Sequence, residues 1–161
     1  MKKLFIVRHA KSDWNDYSLD DLDRPLNKRG AKNVPFIGNL LREKKVCPDI
    51  ILSSPALRAK STAKEIANIL NCKNIIENEK IYESSFSSLL HILKTIDNKN
   101  NIAFLVGHNP SLNMLAEELC GFEKNIVTCG VVEIELDIDV WDDLSYTNSK
   151  FVSFEYPKKY E

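Results

Sequence analysis

Short apolar runs alternate along this chain with longer stretches in which apolar residues recur every third or fourth position. Lys3 to Val7 is a continuous apolar run that stops abruptly at Arg8-His9 and predicts a buried strand. A polar, acidic stretch from Trp14 to Arg24 predicts a loop. Asn27 can cap a helix reaching about Lys45, which Pro35 is expected to kink or delay. Asp49 to Ser53 predicts a second strand, and Pro55 suits the first turn of a helix continuing over Ala56 to Leu70. A weaker strand is expected at Asn74 to Ile76, then a loop through Glu83, then a helix from Ser85 to Ile96.

Ile102 to Val106 is the clearest strand in the chain. It runs into Gly-His-Asn-Pro and a helix from about Ser111 to Leu119, with Asn109 expected as its cap and Pro110 as its first residue. Two alternating strands, Val131 to Leu136 and Phe151 to Tyr156, close the sequence around an acidic loop at Asp137 to Asp143, expected to be solvated. Strands alternating with helices predict one α/β domain over residues 1–161, a three-layer α/β/α arrangement around a mainly parallel sheet.

Composition narrows the function classes. Acidic residues (23) and basic residues (22) nearly cancel, giving a formal net charge of -1, so there is no electrostatic footprint for nucleic acid. No apolar run approaches the ~20 residues that span a bilayer, and the N-terminal MKKLFIV imitates a signal peptide only until Arg8 and His9 interrupt it. A cytoplasmic protein with no membrane partner is expected. Cys47, Cys72, Cys120 and Cys129 are widely spaced with no C-x-x-C pair, which predicts four buried, reduced thiols rather than a zinc or redox site.

The chain has 17 lysines but only 5 arginines, so an Arg marks positions where a planar fork matters. Arg8, Arg24, Arg29 and Arg58 all fall in the segments that carry candidate chemistry. In a parallel sheet the ligand crevice lies outside the carboxyl ends of the strands. Three of those ends carry unusual residues: Arg8-His9, Ser53-Ser54-Pro55 leading to Arg58, and Gly107-His108. If these strands are neighbours, two His and two Arg meet in one pocket. Such a pocket disfavours a metal cation and suits a phosphoryl group, which Arg pairs grip bidentately and a helix N-terminus after Pro55 or Pro110 can assist. One of the two histidines can then act as nucleophile, kept neutral by repulsion from the arginines.

LFIVRHAKSDW (Leu4 to Trp14), DRPLNKRG (Asp23 to Gly30), SSPALRAKSTA (Ser53 to Ala63) and LVGHNP (Leu105 to Pro110) together resemble the histidine phosphatase, or phosphoglycerate mutase-like, superfamily. They are similar in particular to its short SixA-type phosphohistidine phosphatase branch. The resemblance implies that His9 is phosphorylated during turnover, that Arg8, Arg58 and His108 complete the phosphate pocket, and that no cofactor or metal is needed. It also implies a leaving-group acid, for which Glu83 is the positional match and Asp13 and Asp16 compete. Ala10 stands where many members have Gly, and its methyl is expected to tighten the pocket. His91 is expected to be packing or surface, and Trp14 to line the pocket mouth or cover the core edge.

The implied partner is a phosphorylated protein of histidine-phosphotransfer type or a small phosphate ester. The chain has no room for the capping insertions of the family's mutases and acid phosphatases, which favours the protein substrate. A general phosphomonoesterase and a phosphate-binding module without turnover are the alternatives.

Overall fold

A computed structural model describes all 161 residues. Ten regular elements follow in the order β1 (Lys2–Arg8), α1 (Lys28–Glu43), β2 (Ile50–Ser53), α2 (Leu57–Ile69), β3 (Ile75–Glu77), α3 (Phe86–Lys94), β4 (Ile102–Gly107), α4 (Ser111–Cys120), β5 (Val131–Leu136) and β6 (Ser149–Glu155). The strands form one six-stranded sheet in the order β3-β2-β4-β1-β5-β6. The first four of these run parallel, while β5 pairs antiparallel to β1, and β6 antiparallel to β5.

The continuous apolar runs at the centre follow from burial on both faces. Leu4 and Ile6 of β1 point into a cluster with Leu52, Leu105 and the inner faces of α3 and α4. Phe5 and Val7 point the other way, into a cluster with Phe104, Val106 and the apolar stripes of α1 and α2. Helices cover both faces, as the alternating pattern predicts.

Helix α1 starts where expected: Asn27 Oδ1 accepts the Gly30 N–H at 2.8 Å. It neither stops nor starts late at Pro35, because Val34, Ile37, Gly38 and Leu41 pack its buried face and outweigh the lost backbone bond. Gly38 permits this packing, since a Cβ there would lie 2.6 Å from the Ile69 side chain of α2. Both prolines expected inside a first helical turn sit outside it, Pro55 two positions before the first helical residue and Pro110 one. Pro55 precedes Ala56, the cap of α2, and Pro110 is itself the cap of α4, after a cis Asn109–Pro110 bond. Asn109 still serves the helix start, its Oδ1 accepting the Asn113 N–H at 3.2 Å.

Two further expectations need correction. The acidic segment at Asp137 to Asp143 exposes its carboxylates but buries Trp141 completely, with Ile138 and Leu144 beside it. The Trp141 indole N–H donates to the Asn100 carbonyl at 2.7 Å, so this segment is a packed lid on α3, and its charges hid the apolar residues between them. All four cysteines are free, but only Cys72 and Cys129 are buried; Cys120 is half-buried and Cys47 exposed. No helix is long and apolar enough to cross a membrane.

Candidate active site

Parallel pairing of β1 with β4 sets Arg8 opposite Gly107, so His9 and His108 leave the sheet side by side. Their ring centroids are 5.1 Å apart. The His9 N–H donates to the Gly107 carbonyl at 3.1 Å, and the His9 carbonyl accepts the Cys129 N–H at 3.0 Å, which fixes the main chain on both sides. On the far side of β4, β2 ends at Ser53 opposite Val106, and the Ser54 N–H donates to the Val106 carbonyl at 3.0 Å. Helix α2 then begins, and Arg58 projects from its first turn into the same crevice. The three strand ends singled out by the sequence therefore converge on one pocket of about 420 Å³ that includes Arg8, His9, Arg58 and His108.

Local hydrogen bonds orient the histidines. His9 Nδ1 lies 2.7 Å from the Ala10 carbonyl, which can only accept, so Nδ1 carries the proton and Nε2 keeps its lone pair. The Ala10 N–H in turn donates to Thr62 Oγ1 at 3.0 Å, and that hydroxyl donates to the Arg58 carbonyl at 2.8 Å. One buried threonine thus ties the His9 loop to the helix that carries Arg58. The Ala10 methyl is fully buried in the core beneath α1 and α2 and is absent from the pocket lining, so it does not tighten the pocket. His108 Nε2 lies 2.8 Å from Ser54 Oγ. Of three buried polar side-chain atoms without a partner, two are Arg8 Nε and His108 Nδ1. Such groups cost stability, and both lie where the strands deliver their chemistry.

Asp21 organises the other wall. Its carboxylate pairs with Arg58 at 2.9 Å and Arg24 at 2.8 Å, and accepts the Tyr82 hydroxyl at 2.5 Å. Arg24 also donates to the Asp13 carbonyl and to Ser12 Oγ, and its guanidinium stacks 3.2 Å from the centroid of the Trp14 ring. Trp14 is 65% exposed, so of its two expected places it takes the pocket mouth.

The electrostatics follow from this burial. His9 is pushed down to about 4, first by desolvation and then by the charges of Arg58, Arg8 and Arg24, against the opposing bond to Ala10. The sequence reading gave the arginines first place; burial leads. His108 falls to about 3, again chiefly by burial, then by its neighbour His9. Both imidazoles are therefore neutral at physiological pH. Burial tends to raise Asp21, but bonds from Tyr82, Arg58 and Arg24 hold it down at about 2, so it stays a carboxylate.

Several named residues are not brought in. Glu83 is exposed, with a left-handed φ of 52°, and does not line the pocket. Asp13 and Asp16 also stay outside, their carboxylates accepting from Asn15 and Ser18 in their own loop. His91 is on the surface of α3. Arg29 faces a neighbouring cleft. Asp21 and Tyr82 were missed, and Ser54, noted at its strand end, was given no role of its own. Asp21 sits among Asp20 and Asp23 in a polar loop, where nothing in one sequence separates it from its neighbours.

Comparison with known proteins adds the following. The sequence pattern of the histidine phosphatase superfamily (branch 1) matches residues 4–103. The phosphohistidine phosphatase SixA of Escherichia coli is 29% identical over 140 residues, covering 84% of this chain and 86% of that protein. A protein described as phosphoserine phosphatase 1 of Hydrogenobacter thermophilus is 38% identical over 85 residues, but these cover 52% of this chain and 39% of that one. Among solved structures, the protein histidine phosphatase SixA complexed with tungstate superposes with a TM-score of 0.84 over 99% of both chains at 22% identity.

Proposed function

Because the chain belongs to the histidine phosphatase superfamily, branch 1, we propose that it is a phosphatase working through a phosphohistidine on His9, without a metal, and that its substrate is a phosphohistidine on another protein. The observation that carries the reading is the His9 Nδ1–H bond to the Ala10 carbonyl, which leaves Nε2 as a free nucleophile in an arginine-lined pocket. Nε2 attacks phosphorus in line, the bond from phosphorus to the substrate nitrogen breaks, and the departing imidazole takes a proton from water. A second water then attacks the phosphoryl group on His9, its proton neutralises the hydroxide left by the first step, and inorganic phosphate departs as the His9 lone pair is restored. Arg8 and Arg58, with His108, hold the non-bridging oxygens and stabilise the charge of the transition state, the usual main source of catalysis in phosphoryl transfer. The cationic lining supports an anion rather than a metal ion, and no three His, Cys, Asp or Glu side chains are grouped to hold one.

The preference for a phosphohistidine substrate follows from proton supply. The only carboxylate in the lining, Asp21, is held at about 2, and His9 and His108 are neutral. An alkyl ester leaves as a basic alkoxide and needs an acid, whereas the labile phosphorus–nitrogen bond does not. The Escherichia coli relative bears the name phosphohistidine phosphatase, which agrees. A partner of histidine-phosphotransfer type fits a pocket whose mouth is open and edged by an exposed Trp14.

The test compares turnover on a phosphohistidine-bearing protein with a panel of small phosphate esters, together with labelling from radioactive phosphate donors. Acid-labile label on the wild type and none on His9→Ala, with fastest turnover of the phosphoprotein, is the expected result. Label retained in His9→Ala would move the nucleophile to His108 or another group. Faster turnover of alkyl esters would make the enzyme a general phosphomonoesterase, and binding without label would leave only a phosphate-binding module.

A further inference from the structure

Beside the phosphate pocket, and sharing Lys11 and Thr128 with it, a second cavity of about 100 Å³ opens between the start of α1 and the chain around Pro157. Its lining holds three cations, Lys11, Arg29 and Lys158, with the amide of Asn33 and the hydroxyl of Thr128, and no carboxylate. In a chain of net charge -1 this is a local excess. Lys11 and Lys158 have no ion-pair partner, and Arg29 has only the exposed Glu161 at 3.6 Å.

The fold fixes the main chain around this cleft, and its three cations extend from it as exposed side chains. Helix α1 meets the backbone after β1 so closely that a Cβ on Gly30 would lie 2.1 Å from the Lys11 carbonyl oxygen. Asn27 N–H donates to that same oxygen at 3.0 Å, so the first turns of α1, which carry Arg29 and Asn33, are fixed beside the Lys11 main chain. The turn carrying Lys158 is fixed by buried Pro157, by the ion pair of buried Glu155 with Lys159, and by Tyr160 packing on Phe36 of α1. The phosphoryl group already has Arg8 and Arg58 in its own pocket, so these further cations are not needed to hold it.

We propose that this cleft binds a carboxylate carried by the same substrate whose phosphoryl group lies at His9. The inference rests on the phosphatase reading above and makes the substrate class narrower: anionic beyond its phosphoryl group. The cavity, about 100 Å³ and open to solvent, has room for one carboxylate with its water. The carboxylate can come from an acidic side chain beside a phosphorylated residue or from a small phosphorylated acid.

The experiment measures binding, so it does not depend on turnover. Alkyl phosphonates of one to six methylenes, with and without a terminal carboxylate, are titrated calorimetrically into the wild type and into Arg29→Gln/Lys158→Gln. Lys11 is left in place because it also lines the phosphate pocket. At one chain length the carboxylate should tighten binding about tenfold, the scale expected of a few half-exposed charges acting together. In the double variant that preference should vanish while the plain phosphonates bind as before. Plain phosphonates that bind with no carboxylate preference at any length overturn this inference alone. Equal weakening of both series in the double variant also overturns it, since the cleft would then merely support the pocket. No binding by either series overturns the phosphate reading as well. Peptides carrying a stable phosphohistidine analogue flanked by Asp or Asn separate the two sources. A preference for Asp that the double variant loses assigns the carboxylate to a protein, and a preference confined to the short phosphonates assigns it to a small acid.

Discussion

Lowering the pH tests the burial of His9 directly. The imidazole is neutral in the folded chain down to about 4, whereas an exposed His in the unfolded chain takes up a proton near 6.5. Between those values the unfolded state binds more protons, so stability falls as the pH falls. From pH 7 to pH 4.5 the linkage relation gives a loss of roughly 2.4 kcal/mol from this one residue, a large part of a typical folding free energy of about 5–15 kcal/mol. His108, pushed lower still, adds to the same trend in wild type and variant alike. The assay is urea unfolding at both pH values for the wild type and for His9→Asn, which removes the titrating group but keeps a small polar side chain. Carboxylates cancel in the comparison, and the part of the His108 depression that comes from His9 adds to the difference, so the wild type should lose about 2 kcal/mol more than the variant, or somewhat above that. Equal losses would mean that His9 is not desolvated in the folded protein, and the account of its free lone pair would fail with it. The same depression should carry the acid limb of kcat/KM to near pH 4 rather than 6.5.

Arg58→Lys should lower kcat by about 10²-fold or more although the charge is kept, because an ammonium cannot hold Asp21 and the phosphoryl oxygens in one plane; near-normal kcat would take Arg58 out of the reaction. Thr62→Val should cost about 1–3 kcal/mol in urea unfolding, since the Ala10 N–H and the main chain of Arg58 lose a buried shared partner, and a loss below about 0.5 kcal/mol would contradict that bridge. Glu83→Gln should leave phosphohistidine and activated aryl ester turnover unchanged, and alkyl ester turnover nearly so, because its exposed carboxylate stands outside the pocket lining. A fall of ~10²–10⁴ confined to alkyl esters would assign it the leaving-group proton after all.

The elements that were legible in the sequence are those whose signal is local. A strand buried on both faces must be apolar throughout, so β1 and β4 stood out and so did the residues that end them. The crevice rule for parallel sheets then brings Arg8, His9, Arg58 and His108 together from the sequence alone. Asp21 was not legible because its role depends on two arginines and a tyrosine 61 residues further on. Its own surroundings in the sequence are those of any solvated loop. Trp141 was misjudged for a related reason: four acidic neighbours set the average of that segment, while a single indole and its bond to Asn100 set its burial.

The arginines that share Asp21 are not equivalent. A guanidinium has five N–H donors. Arg24 uses three of them within its own loop, on the Asp13 carbonyl, the Asp21 carboxylate and Ser12, and its face is covered by Trp14. It is a strut that holds the loop from Ser12 to Asp21 against the sheet. Arg58 gives Asp21 one N–H from each terminal nitrogen, at 2.7 Å to the carbonyl and 2.9 Å to the carboxylate, and keeps three donors free. Asp21 thus fixes the plane of the Arg58 fork without consuming it, and its negative charge offsets part of the repulsion among the three clustered arginines. On the proposed function, a phosphoryl group entering beside His9 would meet a fork already oriented, and the reorganisation that a mobile arginine would need would be made during folding instead. That division of labour would account for a carboxylate that cannot donate a proton in an arginine-lined pocket: it aims the cation that an anion would need.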